Sequence, residues 1–174
     1  MIYIDFDGVI VDSWPVILEE YKKNFGNSNI EEVKLRELFK IISWNKVLNK
    51  SKLNIQNMAV LKRCEGDNLA ILTKYNTVEE KNEKEIFWKK QNIDIKIFFV
   101  DIDLPKTSIN NVKNNVLIDD ELKNLDAWNL AGGIGILYSK NNNHKDSDEI
   151  FNEKYVEIHE ITCELLKKLL TSCN

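Results

Sequence analysis

Two carboxylates stand two residues apart, Asp5 and Asp7 in IDFDGV, at the end of an apolar run that begins at Ile2. In an extended segment residues i and i+2 point the same way, so both carboxylates face one region beyond the run's carboxyl end. Like charges that close repel, and each is costly unless a cation neutralises it or one of them keeps a proton. Both solutions suit phosphoryl transfer: one carboxylate attacks phosphorus while the other delivers and retrieves a proton. Gly8 permits the turn that follows. A second acidic pair, Asp119 and Asp120 in VLIDDE, closes another apolar run just ahead of a helical pattern. Each pair has an ordinary alternative, a solvated turn for the first and a helix cap at Asp120 for the second. Taken together, two carboxylate clusters at the ends of two apolar runs offer the hard oxygen ligands that Mg2+ prefers.

The elements that must position these groups are five short runs rich in Ile, Val, Leu and Phe: residues 2–6, 69–73, 95–100, 116–118 and 134–138. Their near-continuous hydrophobicity predicts strands buried on both faces of a parallel sheet. Between the second and third, TVEEKNEKEIFWKKQN opens with Thr77 as a cap and Glu79 and Glu80 in a favourable first turn. Between the fourth and fifth, DELKNLDAWNLAGG reads as a helix closed by Gly132 and Gly133. The β-α-β alternation predicts an α/β class, a Rossmann-like parallel sheet flanked by helices. The polar segment SKNNNHKDSD is expected to be a loop, followed by a short YVEIH run and a helical EITCELLKKLL.

Residues 13–66 break the rhythm. SWPVILEEYKKNF, EEVKLRELFKII and NIQNMAVLKRC carry apolar residues at helical spacing, with Pro15 early where a helix tolerates it. They predict a small all-helical insertion, so that residues 1–12 and 67–174 form the α/β core and 13–66 a separate helical unit. Its aromatics, Trp14, Tyr21, Phe25, Phe39 and Trp44, suit the core of a small bundle, with one or two free to stack on a bound group. Arg36, Lys46 and Lys50 suit either solvent or a second anionic group.

Composition narrows the setting. With 43% hydrophobic residues over 174 positions, one sizeable core is affordable without disulfides. A net charge of −4 gives no broad attraction to nucleic acid or anionic membranes. Cys64, Cys163 and Cys173 are widely spaced and odd in number, which predicts reduced thiols in a cytoplasmic protein. MIYIDFD lacks the basic flank of a signal peptide, and no apolar stretch is long enough to span a bilayer.

The sequence resembles the haloacid dehalogenase-like hydrolases in four segments taken in that family's order. DFDGVIVDS (5–13) resembles its first motif, AILTKYN the second with Thr73 as the hydroxyl residue, DLPKTSI the third with Lys106, and LIDDELKNLDAWNLAGGIGI the fourth. Lys113 is a rival for the third motif. The resemblance implies that Asp5 is the nucleophile and Asp7 the general acid and base. It implies that Thr73 and Lys106 hold the phosphoryl group, and that Mg2+ is bound by Asp5, the main-chain carbonyl of Asp7, Asp119 and Asp120. It also implies that the 13–66 insertion is a cap selecting the substrate. A dehalogenase needs no proton donor for its leaving halide, and a phosphonate-cleaving relative lacks an acid two residues after its nucleophile, so Asp7 favours a phosphate ester. The expected activity is hydrolysis of a small phosphate monoester. The cap's size resembles that of the small 5′-deoxyribonucleotidases, and a binding or regulatory module with little turnover is the alternative from another class.

Overall fold

The computed structural model describes residues 1–26, 29–66, 68–139 and 155–172. Its main sheet has six parallel strands in the order β5-β4-β1-β6-β7-β8: β1 (Ile2–Ile4), β4 (Leu69–Tyr75), β5 (Lys96–Asp101), β6 (Val116–Asp119), β7 (Ile134–Tyr138) and β8 (Val156–Ile158). All five apolar runs are strands, and the YVEIH run supplies the sixth. Most of the predicted polar loop, from residue 140 onward, lies outside the described residues.

Alternation along β1 sends Ile2 and Ile4 to one face and Tyr3 to the other. The first face packs against α4 (Ile55–Arg63), α5 (Val78–Lys89) and α7 (Cys163–Ser172) through Leu61, Trp88 and Leu166. The second packs Tyr3, Ala70, Leu72 and Leu117 against Leu125 and Trp128 of α6 (Leu122–Leu130). Gly133 lets α6 return closely to β7, since a Cβ there would lie 2.3 Å from the Trp128 Nε1. The expected cap of α5 is present: Thr77 Oγ1 accepts from the Glu80 N–H at 3.1 Å.

The insertion contains α1 (Trp14–Phe25), α2 (Glu32–Ile41) and α3 (Trp44–Lys50) around their own cluster of Val16, Ile17, Tyr21, Leu38, Ile42, Trp44 and Val47. Pro15 sits in the first turn of α1, as expected. A short antiparallel pair that periodicity did not reveal, β2 (Val11–Asp12) with β3 (Lys52–Leu53), ties the two ends of this unit together. Two residues per strand leave no alternation to read. Helix α4, also within 13–66, packs its Val60 and Leu61 into the cluster beneath the sheet and not into the three-helix cluster.

The expectation of reduced thiols is corrected for two cysteines. Cys64, at the end of α4, and Cys163, at the start of α7, form a disulfide between positions 99 residues apart, their Cα atoms at 6.3 Å. Sequence spacing could not show it, because only the docking of both helices on one face of the sheet brings the two together.

Candidate active site

Adjacency of β1 and β6 decides where the acidic groups meet. Ile4 lies opposite Ile118, and the Asp5 N–H donates to the Ile118 carbonyl at 2.9 Å. Asp5 therefore emerges beside Asp119, the last residue of β6. One oxygen from each of Asp5, Asp119 and Asp120 lies within 4.8 Å of the others. Gly8, at φ +80°, makes room for this: a Cβ there would fall 1.8 Å from Asp120 Oδ2. Asp120 does not cap α6, whose N-cap is Glu121; instead Asp119 Oδ1 accepts from the Glu121 N–H at 2.9 Å.

Lys106 lies in a single 3-10 turn after β5 and is 2% exposed. Its Nζ reaches Asp5 Oδ1 at 2.6 Å and Asp119 Oδ2 at 2.7 Å. Burial opposes its charge, yet the two carboxylates hold the ammonium protonated above its ordinary range. Asn124 donates to both oxygens of Asp119, at 3.2 and 3.1 Å. Lys113 is exposed in the loop leading into β6, beside Gly132, at the opposite end of that strand from Asp119. Of the two lysines left open by sequence, only Lys106 reaches the acidic cluster.

Asp7 joins a different network. Its Oδ2 is 2.6 Å from Lys84 Nζ, its Oδ1 accepts from Ser13 Oγ at 2.7 Å, and Thr73 Oγ1 stands 3.4 Å from Oδ2. Lys84, 1% exposed, also pairs with Glu80 at 2.7 Å and donates to the Lys74 carbonyl at 2.9 Å. Burial alone would raise the Asp7 carboxyl; Lys84, by charge and by hydrogen bond, outweighs it, and the carboxyl is held below its ordinary range. Sequence reasoning missed Lys84, because α5 is polar nearly all round. The available signal was spacing: Glu80, Lys84 and Trp88 recur every fourth residue and form the buried stripe of that helix.

The remaining carboxyls are crowded. Burial, and then the neighbouring Asp119 and Glu121, push Asp120 up to about 7. Asp5 is raised too, chiefly by burial, with Lys106 opposing and Asp119, Asp7 and Asp120 adding to the rise. Three carboxylate oxygens converging on one space, two of them from groups pushed up by their surroundings, are the donor set a hard divalent cation fits.

The cluster opens into a cavity of about 650 Å³ between the sheet end and the helical unit. Its roof includes Trp14, Ile17, Leu35 and Phe39, and Arg36 spans it by pairing with Asp103 of the core at 2.8 Å. Among the insertion's aromatics Trp14 is 44% exposed and Tyr21 is buried in the three-helix cluster, whereas Trp44, buried in the same cluster, also lines the cavity with its ring centre 5.7 Å from Lys84 Nζ. Lys46 and Lys50 are exposed and do not line the cavity.

No family model matches the sequence, and no curated protein is similar to it in sequence. Its architecture is matched throughout. A phosphonoacetaldehyde hydrolase-like protein from Oleispira antarctica superposes with a TM-score of 0.63 at 11% identity, covering 99% of this chain and 91% of that one. A HAD hydrolase of family IA, variant 3, from Entamoeba histolytica gives 0.56 at 16% identity over 98% of both chains. The fold is that of the haloacid dehalogenase-like hydrolases. A HAD phosphatase from Thermococcus onnurineus shares it as well, at TM-score 0.55 and 13% identity over 97% of this chain and 96% of that one. Against this HAD fold the acidic cluster lies beyond the carboxyl ends of β1 and β6, with β4 on the other side of β1, which is where open parallel sheets hold their ligands.

Proposed function

We propose that the protein is a Mg2+-dependent phosphatase that hydrolyses a small phosphate monoester through an aspartyl-phosphate formed on Asp5. The observation that carries this is the convergence of Asp5, Asp119 and Asp120 within 4.8 Å, with Lys106 bridging Asp5 and Asp119. A surface cluster of carboxylates would not come with a buried lysine pinning two of its members in place.

In the first step an Asp5 oxygen attacks phosphorus, the ester P–O bond breaks, and Asp7 gives a proton to the departing oxygen. In the second, Asp7 takes a proton from water, the water oxygen attacks the same phosphorus, and inorganic phosphate leaves as the Asp5 carboxylate is restored. Lys84 keeps Asp7 ionised in the free protein, so Asp7 takes the proton of the first step from the substrate monoanion, and the proton it takes from water in the second leaves with inorganic phosphate. Thr73 and Lys106 hold the phosphoryl oxygens. Asp5, Asp119, Asp120 and the Asp7 carbonyl would hold Mg2+, which when bound offsets the charge gathering on those oxygens. Within residues 13–66, helices α1 to α3, which carry the side chains over the cavity, supply the cap that excludes water and selects the ester.

The partner is a small-molecule phosphate ester, with neither a nucleic-acid polymer nor a membrane involved. Among the described residues no helix is long and apolar enough to cross a membrane. Phosphate release from an aryl phosphate, measured with Mg2+ and with a chelator, tests the proposal. Release that needs the metal and is lost in Asp5→Asn is expected; chelator-indifferent release, or full activity in Asp5→Asn, contradicts it. In Asp7→Asn, alkyl esters should lose far more rate than aryl phosphates, whose leaving group needs no proton. Equal losses on both would remove the acid role. A screen over nucleotides, sugar phosphates and other monoesters then names the substrate.

A further inference from the structure

Five basic side chains line the cavity: Arg36, Lys74, Lys84, Lys106 and Lys123. Three are committed to carboxylates. Arg36 holds Glu32 and Asp103, Lys84 holds Asp7 and Glu80, and Lys106 holds Asp5 and Asp119. Lys74 and Lys123 form no ion pair among the described residues.

For Lys123, exposed in the first turn of α6, that is the ordinary condition of a surface lysine. For Lys74 it is not. Lys74 directly follows Thr73 near the end of β4 and is half-buried against the cavity wall. Burial lowers its pKa first; Glu121 and, more weakly, Asp119 offset this in part, while the charges of Lys106 and Lys123 add to the lowering. A half-buried ammonium with no carboxylate paired to it, on a cavity wall that also carries Lys106 and Lys123, gains most from an anion bound in the cavity they share. The phosphoryl group under attack does not fill that role, because it must sit against Asp5, where Lys106 already stands at 2.6 Å. The cavity is also far larger than a phosphate needs: about 650 Å³ suits a small organic molecule, and its roof of Trp14, Ile17, Leu35 and Phe39 offers apolar cover for a carbon skeleton.

We infer that Lys74, with Lys123, forms a subsite for a second anionic group, so that the substrate is a small phosphate ester carrying a carboxylate or a further phosphate on its leaving portion. The inference rests on the phosphatase reading for its substrate class and deepens it. Selectivity then comes from both sides of the cavity, a cationic wall from the core and an apolar roof from the helical unit.

The test compares propyl phosphate with two-anion esters of similar size, 3-phosphopropionate and propane-1,3-diol bisphosphate, in wild type, Lys74→Met, Lys74→Arg and Lys123→Met. The ratio of kcat/KM for the two-anion esters over propyl phosphate should exceed about tenfold in wild type, since a charge-assisted contact contributes about that much discrimination. It should collapse in Lys74→Met through KM, recover largely in Lys74→Arg, and fall by a smaller factor in Lys123→Met. A wild-type ratio near one, or a ratio unmoved in Lys74→Met, overturns the subsite. Calorimetric binding of propane-1,3-bisphosphonate against propylphosphonate needs no turnover. If no ester is hydrolysed but the bisphosphonate binds more tightly and loses that advantage in Lys74→Met, the phosphatase reading fails and the subsite stands. Equal affinity for the two phosphonates in wild type removes the subsite whatever the activity.

Discussion

Lys106 and Lys23 each hold two carboxylates, in different surroundings. Lys23, on α1 of the helical unit, reaches Glu19 and Glu20 at 2.7 and 2.9 Å with about half its side chain in water, at 51% exposure. Lys106 reaches Asp5 and Asp119 at 2.6 and 2.7 Å with its side chain 2% exposed. The distances are alike, but the first set is one helix's own i,i+3 and i,i+4 neighbours. The second joins residues brought together only by the order of strands in the sheet. Water screens Lys23 and makes its pairs nearly dispensable, while Lys106 compensates charges that have no other partner as good. The pairs of Lys23 are thus surface decoration, those of Lys106 are structural, and the sheet end that Lys106 serves is where chemistry is proposed.

The sharpest way to break that contrast is to remove each lysine. Lys106→Met strands two buried carboxylates and should cost about 3–5 kcal/mol in urea denaturation, and more than about a thousandfold in phosphatase activity. Lys23→Met should leave the midpoint unmoved. Comparable midpoints for the two variants would erase the distinction.

How far this contrast was legible in sequence follows the same division. The five strand runs, the helices around Pro15 and Thr77, and the two acidic pairs were readable because each is a local pattern. Asp119 and Asp5 could be paired only through the resemblance, since nothing local places β6 beside β1. Lys84 escaped notice because a lysine in EEKNEKE looks like any solvated helix residue, and its burial depends on Asp7, 77 positions away. The Cys64–Cys163 bridge was missed for the same reason, and Lys106 could not be separated from Lys113 until the strand ends were placed.

Aromatics of the helical unit divide similarly between filling and facing. Trp44 is 2% exposed, lies 5.5 Å from Phe39 in a tilted pair and packs its ring beside Lys84, so Trp44→Ala should cost about 3–5 kcal/mol and depress activity on every ester through the loss of packing around Asp7's partner. Trp14→Ala should keep the melting temperature and shift the ranking among natural esters. Thermal melts run beside the substrate panel decide this, and an unchanged ranking in Trp14→Ala would remove it from substrate selection.

A smaller effect is expected from the bridge between α4 and α7. Reduction opens a link across 99 residues and should lower stability by about 2–4 kcal/mol without disturbing the acidic cluster, which lies at the carboxyl end of the sheet. Equal denaturation midpoints with and without reductant would show that the bridge contributes nothing.

The smallest shift concerns pH. The Asp120 carboxyl, raised to about 7 in the folded chain, contributes stability that is fully present below its ordinary value near 3.8 and lost as pH rises through 7. A divalent cation reverses that trend by binding the ionised form, so Mg2+ should raise the melting temperature by a few degrees more at pH 8 than at pH 5. A larger gain at pH 5 would contradict this assignment of the cluster.

The central claim is that Asp5 becomes covalently phosphorylated. Turnover quenched in acid within the first cycle, followed by borohydride reduction and peptide mass spectrometry, reads this directly, because only an acyl phosphate is reduced to homoserine. The account predicts homoserine at position 5 in Mg2+ and substrate, and none when either is omitted. Steady hydrolysis with Asp5 unmodified, or modification at Asp119 or Asp120 instead, would contradict it.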